Sequence, residues 1–459
     1  MRLVSHFALV YLAGLWLPAL AQEQTDPFRD IEKLAREEMN RENIPGAALA
    51  VVRGDRVIFV KGLGVSSIET KAPVTPDMLF RIASVTKMFT AAATVGIAAE
   101  GKLERAQAVE KYLPGLDPAI GALTAHQLLT HTGGLRAQGR APEACDEQAL
   151  RRTVHSWRKD QFFTAPGDVY SYSDPGYWLA GYLAEVLDEK PYADVLTERL
   201  FRPLGMVSTT LRPSAAITYP LAQGHRPSGS ALSVVRPLAD RPAAWPAGGM
   251  FSSVTDLARW VIALLNSGQL EGTQVLKPEI VAALTSAHTN VPGRASSYGY
   301  GLFIRESRGV RVWEHGGTGV GYGALIRMFP EHRVGIIVLT NRTAGALPKT
   351  GEAIAQLLLP FKRKESGPVA TGLEIGPEEM NKYVGRYVNG DLIVEILIKD
   401  ARLFARQALL EAPLIRTGAQ RFVLTVPGSP APDEAEVVLR QDGTVAYFCI
   451  RTACLKRQP

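Results

Sequence analysis

Apolar residues recur at helical spacing from Phe28 to Asn43, and Pro45-Gly46 ends that run. The next stretch, GAALAVVRGDRVIFVKGLG, is apolar on both sides of Gly54-Asp55, which predicts two strands around a tight turn. Ala83 to Ala99, rich in Ala, Thr and Met, predicts a second helix. Residues 100–270 carry helical patches broken by Pro and Gly. Strand patterns return near Tyr300 in GYGLFIRE, GVRVWEH, GALIRMFP and RVGIIVLTN, and a last helix is predicted over about Pro348 to Leu359. Strands therefore bracket a helical middle. Segments distant in sequence are expected to share one sheet, in one domain over residues 27–361. A polar linker, 362–376, follows. From GPEEMNKYVGRYVNG onward short strands and turns predict a small all-β domain over 377–459.

The opening MRLVSHFALVYLAGLWLPALAQEQ changes the picture of where the chain works. Arg2, a short apolar run over Phe7–Leu17 and the small residues of Ala19-Leu20-Ala21 predict a signal peptide over 1–21, cleaved near Ala21. The mature chain is then secreted or periplasmic, and no later run is long and apolar enough for a membrane span. With 46% hydrophobic residues among 459, there is enough apolar material for one large core and a smaller one. The net charge of +6 is scattered rather than striped, which argues against nucleic acid as a partner. Of three cysteines, Cys449 and Cys454 are close enough to pair in an oxidising compartment and leave Cys145 over; three buried thiols is an equal expectation.

Candidate chemistry starts from Ser84-Val85-Thr86-Lys87 in FRIASVTKMFTAAATVG. A spacing of three puts hydroxyl and amine on one helix face, where the amine can activate a serine that is otherwise a poor nucleophile. The spacing alone is weak, and Ser156-Trp157-Arg158-Lys159 repeats it. That second pair sits in a polar, arginine-rich stretch, whereas Ser84 opens an apolar helix that can hold a nucleophile rigidly. Two other readings fall away. Leu347 to Gly351 spells a wall-sorting signal, but about a hundred residues follow it. Lys349-Thr350-Gly351 spells a triplet of penicillin-binding enzymes, but Pro348 places it at a helix start. His126, His131 and His225 lack the cysteine or carboxylate companions of a metal site, so no metal and no cofactor is expected.

Five stretches in order, LFRIASVTKMFTA, LTAHQLLTHTGGL, PGDVYSYSDPGYWLAGYL, PLGM and PAGGMFSSVTDLARW, resemble the serine hydrolases of the class C β-lactamase and penicillin-binding family. The resemblance covers about residues 28–360. It implies an α/β fold: an antiparallel sheet flanked by helices, with a helical lobe, beside the barrel-like all-β domain. It implies an acyl-enzyme on Ser84, with Lys87 as proton acceptor and Tyr172 of Tyr172-Ser173-Asp174 as a phenolic base whose pKa neighbouring cations must lower. Tyr387-Val388-Asn389 matches the tyrosine motif literally, but lies in the C-terminal domain. His315-Gly316-Gly317 stands where the family has Lys-Thr-Gly, with the glycines admitting substrate to the strand. The oxyanion hole would be the N–H groups of Ser84 and Thr318. Asp174 for Asn and His315 for Lys make the pocket less attractive to a carboxylate. The expected substrates, small molecules or peptides, are therefore esters or amides without one. A non-catalytic or slowly acylated penicillin-binding-type sensor is the alternative.

Overall fold

The computed structural model describes residues 27–139, 146–238, 240–361, 372–425 and 432–459. The signal-peptide expectation, Cys145 and most of the expected linker lie outside those residues. Eight antiparallel strands form the main sheet: β1 (Gly46–Arg53), β2 (Arg56–Gly64), β3 (Thr289–Asn290), β4 (Ser296–Tyr298), β5 (Phe303–Ser307), β6 (Val310–Gly319), β7 (Tyr322–Phe329) and β8 (Val334–Thr340). Their order is β2-β1-β8-β7-β6-β5-β4-β3, so the first strand pairs with the last. In register, Ala47 faces Thr340 and Arg53 faces Val334. β1 and β8 are central and buried along nearly their whole length, which is why both read as continuous apolar runs.

Alternation along β1 divides the core. Ala47, Leu49 and Val51 meet helices α1 (Phe28–Arg41) and α5 (Pro348–Leu358) on one face. Ala48, Ala50 and Val52 meet α2 (Thr86–Ala99) and α4 (Val254–Leu265) on the other, where the helical lobe and α3 (Asp174–Leu187) complete the core. The Lys349-Thr350-Gly351 triplet falls in the first turn of α5, on the α1 face. There the buried Glu38 carboxylate accepts from the N–H groups of Lys349 (2.9 Å) and Thr350 (2.8 Å) and from the Thr350 hydroxyl (2.7 Å). The triplet is thus an anion-capped helix start, on the opposite side of the sheet from Ser84.

The C-terminal strands close on themselves. β9 (Gly385–Asn389), β10 (Leu392–Lys399), β11 (Arg402–Gln407), β12 (Leu410–Arg416), β13 (Arg421–Leu424), β14 (Asp433–Leu439), β15 (Val445–Ile450) and β16 (Ala453–Arg457) form an up-and-down barrel, and β16 pairs back to β9. Ahead of it lies a short helix, α6 (Pro377–Tyr383), where strands and turns were expected. Pro377 at its start and Glu378 and Glu379 in its first turn favour a helix there. Met380 and Tyr383 of α6 pack into the barrel core, with the Tyr383 ring edge-on to Phe422 at 5.2 Å.

The barrel is clasped to the main domain. Asn389 accepts from Ala137 N–H (3.1 Å) and donates to the Ser171 hydroxyl (3.0 Å) and the Cys454 carbonyl (2.8 Å). Cys449 and Cys454 are disulfide-bonded across the β15–β16 hairpin. The tip of that hairpin supplies the Thr452 carbonyl, which accepts from Tyr172 N–H at 2.9 Å.

Candidate active site

A short paired strand, Phe80–Arg81 against Phe251–Ser252, leads the chain into a tight helical turn over Ala83–Val85. Ala83 sits at φ 46°, in the left-handed region that costs a non-glycine residue about 1 kcal/mol. The surroundings fix it there. Ile82 N–H bonds the Met250 carbonyl (3.0 Å), and the Thr86 hydroxyl bonds the Ala83 carbonyl (2.7 Å). Ser84 follows at the mouth of α2, with Lys87 one turn on.

Lys87 is fully buried, and its Nζ has three partners: Ser84 Oγ at 3.3 Å, Asp174 Oδ1 at 2.7 Å and the Ala247 carbonyl at 2.8 Å. Burial lowers its pKa; the Asp174 carboxylate opposes that and only partly offsets it. A neutral amine has two N–H donors and one lone pair. The two acceptors that cannot donate, a carboxylate and a carbonyl, take the donors. The lone pair then faces the Ser84 hydroxyl, the arrangement a general base requires.

Tyr172 lies over this pair, with Nζ 4.7 Å from its ring centroid. Its hydroxyl faces Ser84 but closes no hydrogen bond of normal geometry. Burial, reinforced by Asp174, raises the phenol well above its ordinary value. This corrects the expectation that cations lower it. Tyr172 is a neutral phenol, fit to donate a proton rather than to act as a phenolate.

His315, on β6, is buried among Phe303, Tyr298 and Tyr172, with ring centroids 5.5, 6.2 and 6.1 Å away. Its Nδ1 lies 2.7 Å from the Gly316 carbonyl, which can only accept, so Nδ1 carries the hydrogen. Nε2 then accepts from the Tyr298 hydroxyl at 3.2 Å. Burial, and after it the neighbouring Lys87, push its pKa down to about 3. The position therefore carries no positive charge at neutral pH.

The glycines beside it have unequal duties. β5 pairs with β6 only as far as Glu314 among the described residues, and the open edge beyond lies against the Ser84 turn. A Cβ on Gly317 would sit 2.1 Å from the Ile82 carbonyl oxygen, whereas one on Gly316 meets nothing nearer than 3.8 Å. Thr318 follows on the same edge and is exposed.

His131, which the sequence excludes only as a metal ligand, belongs to this cluster. It stands under the reacting group, its ring 4.2 Å from that of Tyr172 and 4.8 Å from that of Tyr298. Its Nδ1 accepts from Ser173 N–H at 3.0 Å, so the hydrogen is on Nε2, which is buried without a partner. The motif LTHTGGL carried this residue, but nothing in its spacing linked it to Tyr172. The other histidines lie elsewhere: His126 bonds Tyr300 (2.8 Å) and His225 bonds the Asn341 carbonyl (2.8 Å). Ser156 of the rival pair donates to the Thr153 carbonyl at 2.7 Å and has no amine base.

His131 and His315 give a pH dependence of known sign. Both are held below the ordinary histidine value, chiefly by burial and then by Lys87. The unfolded chain takes up protons near pH 6.5 that the folded chain refuses. Stability is therefore complete above about pH 6.5 and falls toward pH 3, by up to about 1.4 kcal/mol per pH unit for each histidine. Urea midpoints at pH 7.5 and 5.0 should differ in that sense, and His315→Gln should flatten the difference.

A cavity of about 450 Å³ opens at Ser84, walled by Tyr172, Asp174 and residues of the barrel. Known proteins share this architecture. The Beta-lactamase family profile matches residues 31–359. An unguisins hydrolase, ungD', of Aspergillus campestris is 28% identical over 432 residues, 90% of this chain and 74% of that protein. Protein flp of Staphylococcus aureus is 26% identical over 347 residues, 74% of this chain and 68% of that one. The crystal structure of SurE superposes with a TM-score of 0.77 at 25% identity, covering 94% of this chain and 99% of SurE. With a profile spanning most of its length, this chain belongs to the Beta-lactamase family and is a serine hydrolase.

Proposed function

We propose that this chain is an exported acyl hydrolase that cleaves esters or amides lacking a carboxylate next to the reacting carbonyl, through an acyl-enzyme on Ser84. The observation that carries this reading is the Lys87 amine, with two contacts to pure acceptors and its third to Ser84 Oγ. Lys87 takes the Ser84 proton as Oγ bonds to the carbonyl carbon. The oxyanion forms facing the backbone N–H groups of Ser84 and Thr318. On collapse the leaving alcohol or amine takes a proton from the neutral Tyr172, which recovers one from Lys87. Water then attacks the ester on Ser84 by the same proton path in reverse, releasing the acid. Asp174 holds Lys87 in place throughout. The neutral His315, where the family has a lysine, removes a fixed charge that would hold a carboxylate. The relative named for hydrolysis of unguisins supports water as the final acceptor. Export is supported by the N-terminal pattern and by the Cys449–Cys454 disulfide, at home in an oxidising compartment such as a periplasm.

Incubation with a serine-reactive fluorophosphonate should add one adduct, on Ser84, and none to Ser84→Ala. A chromogenic short-chain ester should turn over faster than a chromogenic cephalosporin. Faster cephalosporin cleavage would refute the exclusion of carboxylates. Absence of any adduct would favour a non-catalytic binder, in which Asp174 keeps Lys87 protonated.

A further inference from the structure

The barrel faces the reaction centre with one end, and that end is hollow. All the hairpin tips at 390–391, 408–409 and 451–452 lie at the same end, because each joins an upward strand to the next downward one. Two of these tips reach the catalytic domain: residues beside 390 at Ala137, and Thr452 at Tyr172. Large rings fill much of the interior, those of Tyr387, Phe422 and Phe448, with Tyr383 of α6 edge-on to Phe422. Other inward positions are smaller. Ala405 and Ala412 face each other across β11 and β12. Two alanines, where other inward positions carry rings, leave a space that Leu392, Val394, Leu424 and Ile450 line. That space is continuous with Ser84: one cavity of about 450 Å³ contains both. It lies in the size range of small-molecule pockets.

Its charges cancel. Arg451 is paired with Asp433 through two contacts (3.0 and 2.9 Å), Arg406 with Glu395 (2.6 Å), and Lys87 with Asp174 (2.7 Å). An ionic group entering the barrel would have to break one of these pairs. An apolar group meets the alkyl side chains of Leu392, Val394, Leu410, Leu424 and Ile450. Leu410, 60% exposed, stands at the rim of this opening.

We propose that the near end of the barrel is the specificity pocket of this hydrolase, and that its substrate carries an uncharged apolar arm on the acyl side of the scissile bond. This rests on Ser84 as nucleophile and names the substrate class. The arm is a medium-length acyl chain or the apolar side chain of an acyl amino-acid residue. Both present the same alkyl surface. Each methylene buried strengthens binding about fourfold at most, so several together give a chain-length preference easy to measure.

The test uses the full-length chain and two substrate series. In one, p-nitrophenyl octanoate is compared with p-nitrophenyl acetate. In the other, the p-nitroanilides of D- and L-leucine are compared with that of glycine. In the wild type kcat/KM should favour the larger member by at least tenfold in one series, and the series identifies the source of the arm. Within Ala412→Phe, which fills the space, and Leu410→Asp, which charges the exposed rim with little risk to folding, that ratio should fall at least tenfold. Taking the ratio within each variant cancels differences in the amount of folded protein. Calorimetry with the neutral octanamide on Ser84→Ala, which cannot be acylated, reads the pocket without turnover: binding should be lost when Leu410→Asp is added. Equal ratios in wild type and both variants, or no size preference in either series, would overturn the proposal. So would octanamide binding that Leu410→Asp leaves intact. Failure of the Ser84 reading looks different: octanamide binds, yet the fluorophosphonate leaves no adduct.

Discussion

Lys87→Met lowers kcat/KM by about three orders of magnitude and leaves the melting temperature unchanged or higher. The first half of that expectation follows from removing the one amine that, among the described residues, contacts Ser84 Oγ, since a positioned proton acceptor contributes roughly 10²- to 10⁴-fold. The second half follows from burial. Lys87 has no exposed surface, and methionine matches its length without needing solvation. Asp174 loses its partner but keeps 39% of its side chain in contact with solvent, so its charge is not stranded. Stopped assays with a chromogenic ester, alongside thermal melts, separate the two effects. A Lys87→Met protein with activity within tenfold of wild type would sink the role given to the amine. In the wild type, kcat/KM should also rise with pH along a limb whose midpoint lies below the ordinary lysine value, because burial outweighs Asp174.

Gly317→Ala comes next in size. The added methyl would need to occupy a point 2.1 Å from the Ile82 carbonyl oxygen, the group just before the left-handed Ala83. Neither side can yield alone: Ile82 is hydrogen-bonded to Met250, and Gly317 is paired with Ala324. The β6 edge and the Ser84 turn must part, and displacement of about 1 Å at a reaction centre costs about 100-fold in rate. Gly316→Ala adds a methyl with 3.8 Å of clearance, so its loss should be at least tenfold smaller. Equal losses at the two positions would show that the contact with Ile82 does not set the geometry of the edge. The comparison needs only kcat/KM for both variants on one ester, with circular dichroism to verify folding.

The parts of the site legible in the sequence were those encoded locally. Ser84 and Lys87 share a helix face, and Tyr172 with Asp174 opens another helix, so spacing and capping residues mark them. That strands from the two ends of the domain share one sheet was legible, because β1 and β8 are both uninterrupted apolar runs that need two-sided cover. What escaped was produced by contacts across long sequence separation. His131 meets Tyr172 across 41 residues only because a left-handed turn at His131 swings its ring under the phenol. The titration of Tyr172 was misjudged for a related reason. Proximity of a lysine was foreseeable, but complete burial was not, and burial dominates. Asn389 looked like the end of a stray tyrosine motif; it is a clasp, because β9 happens to finish beside Ser171. The hollow end of the barrel depends on residue size at inward positions of several strands, which alternation alone does not rank.

The hairpin tip that hands the Thr452 carbonyl to Tyr172 puts a module seam through the candidate active site. Cutting the chain after α5 would leave a sheet with its own core, yet the strap bearing the phenol would lose the carbonyl and the Asn389 amide that peg it. Such a fragment would be a scaffold without a working centre. Anyone grafting this catalytic half onto another C-terminal module must transplant that peg as well, or supply an equivalent one.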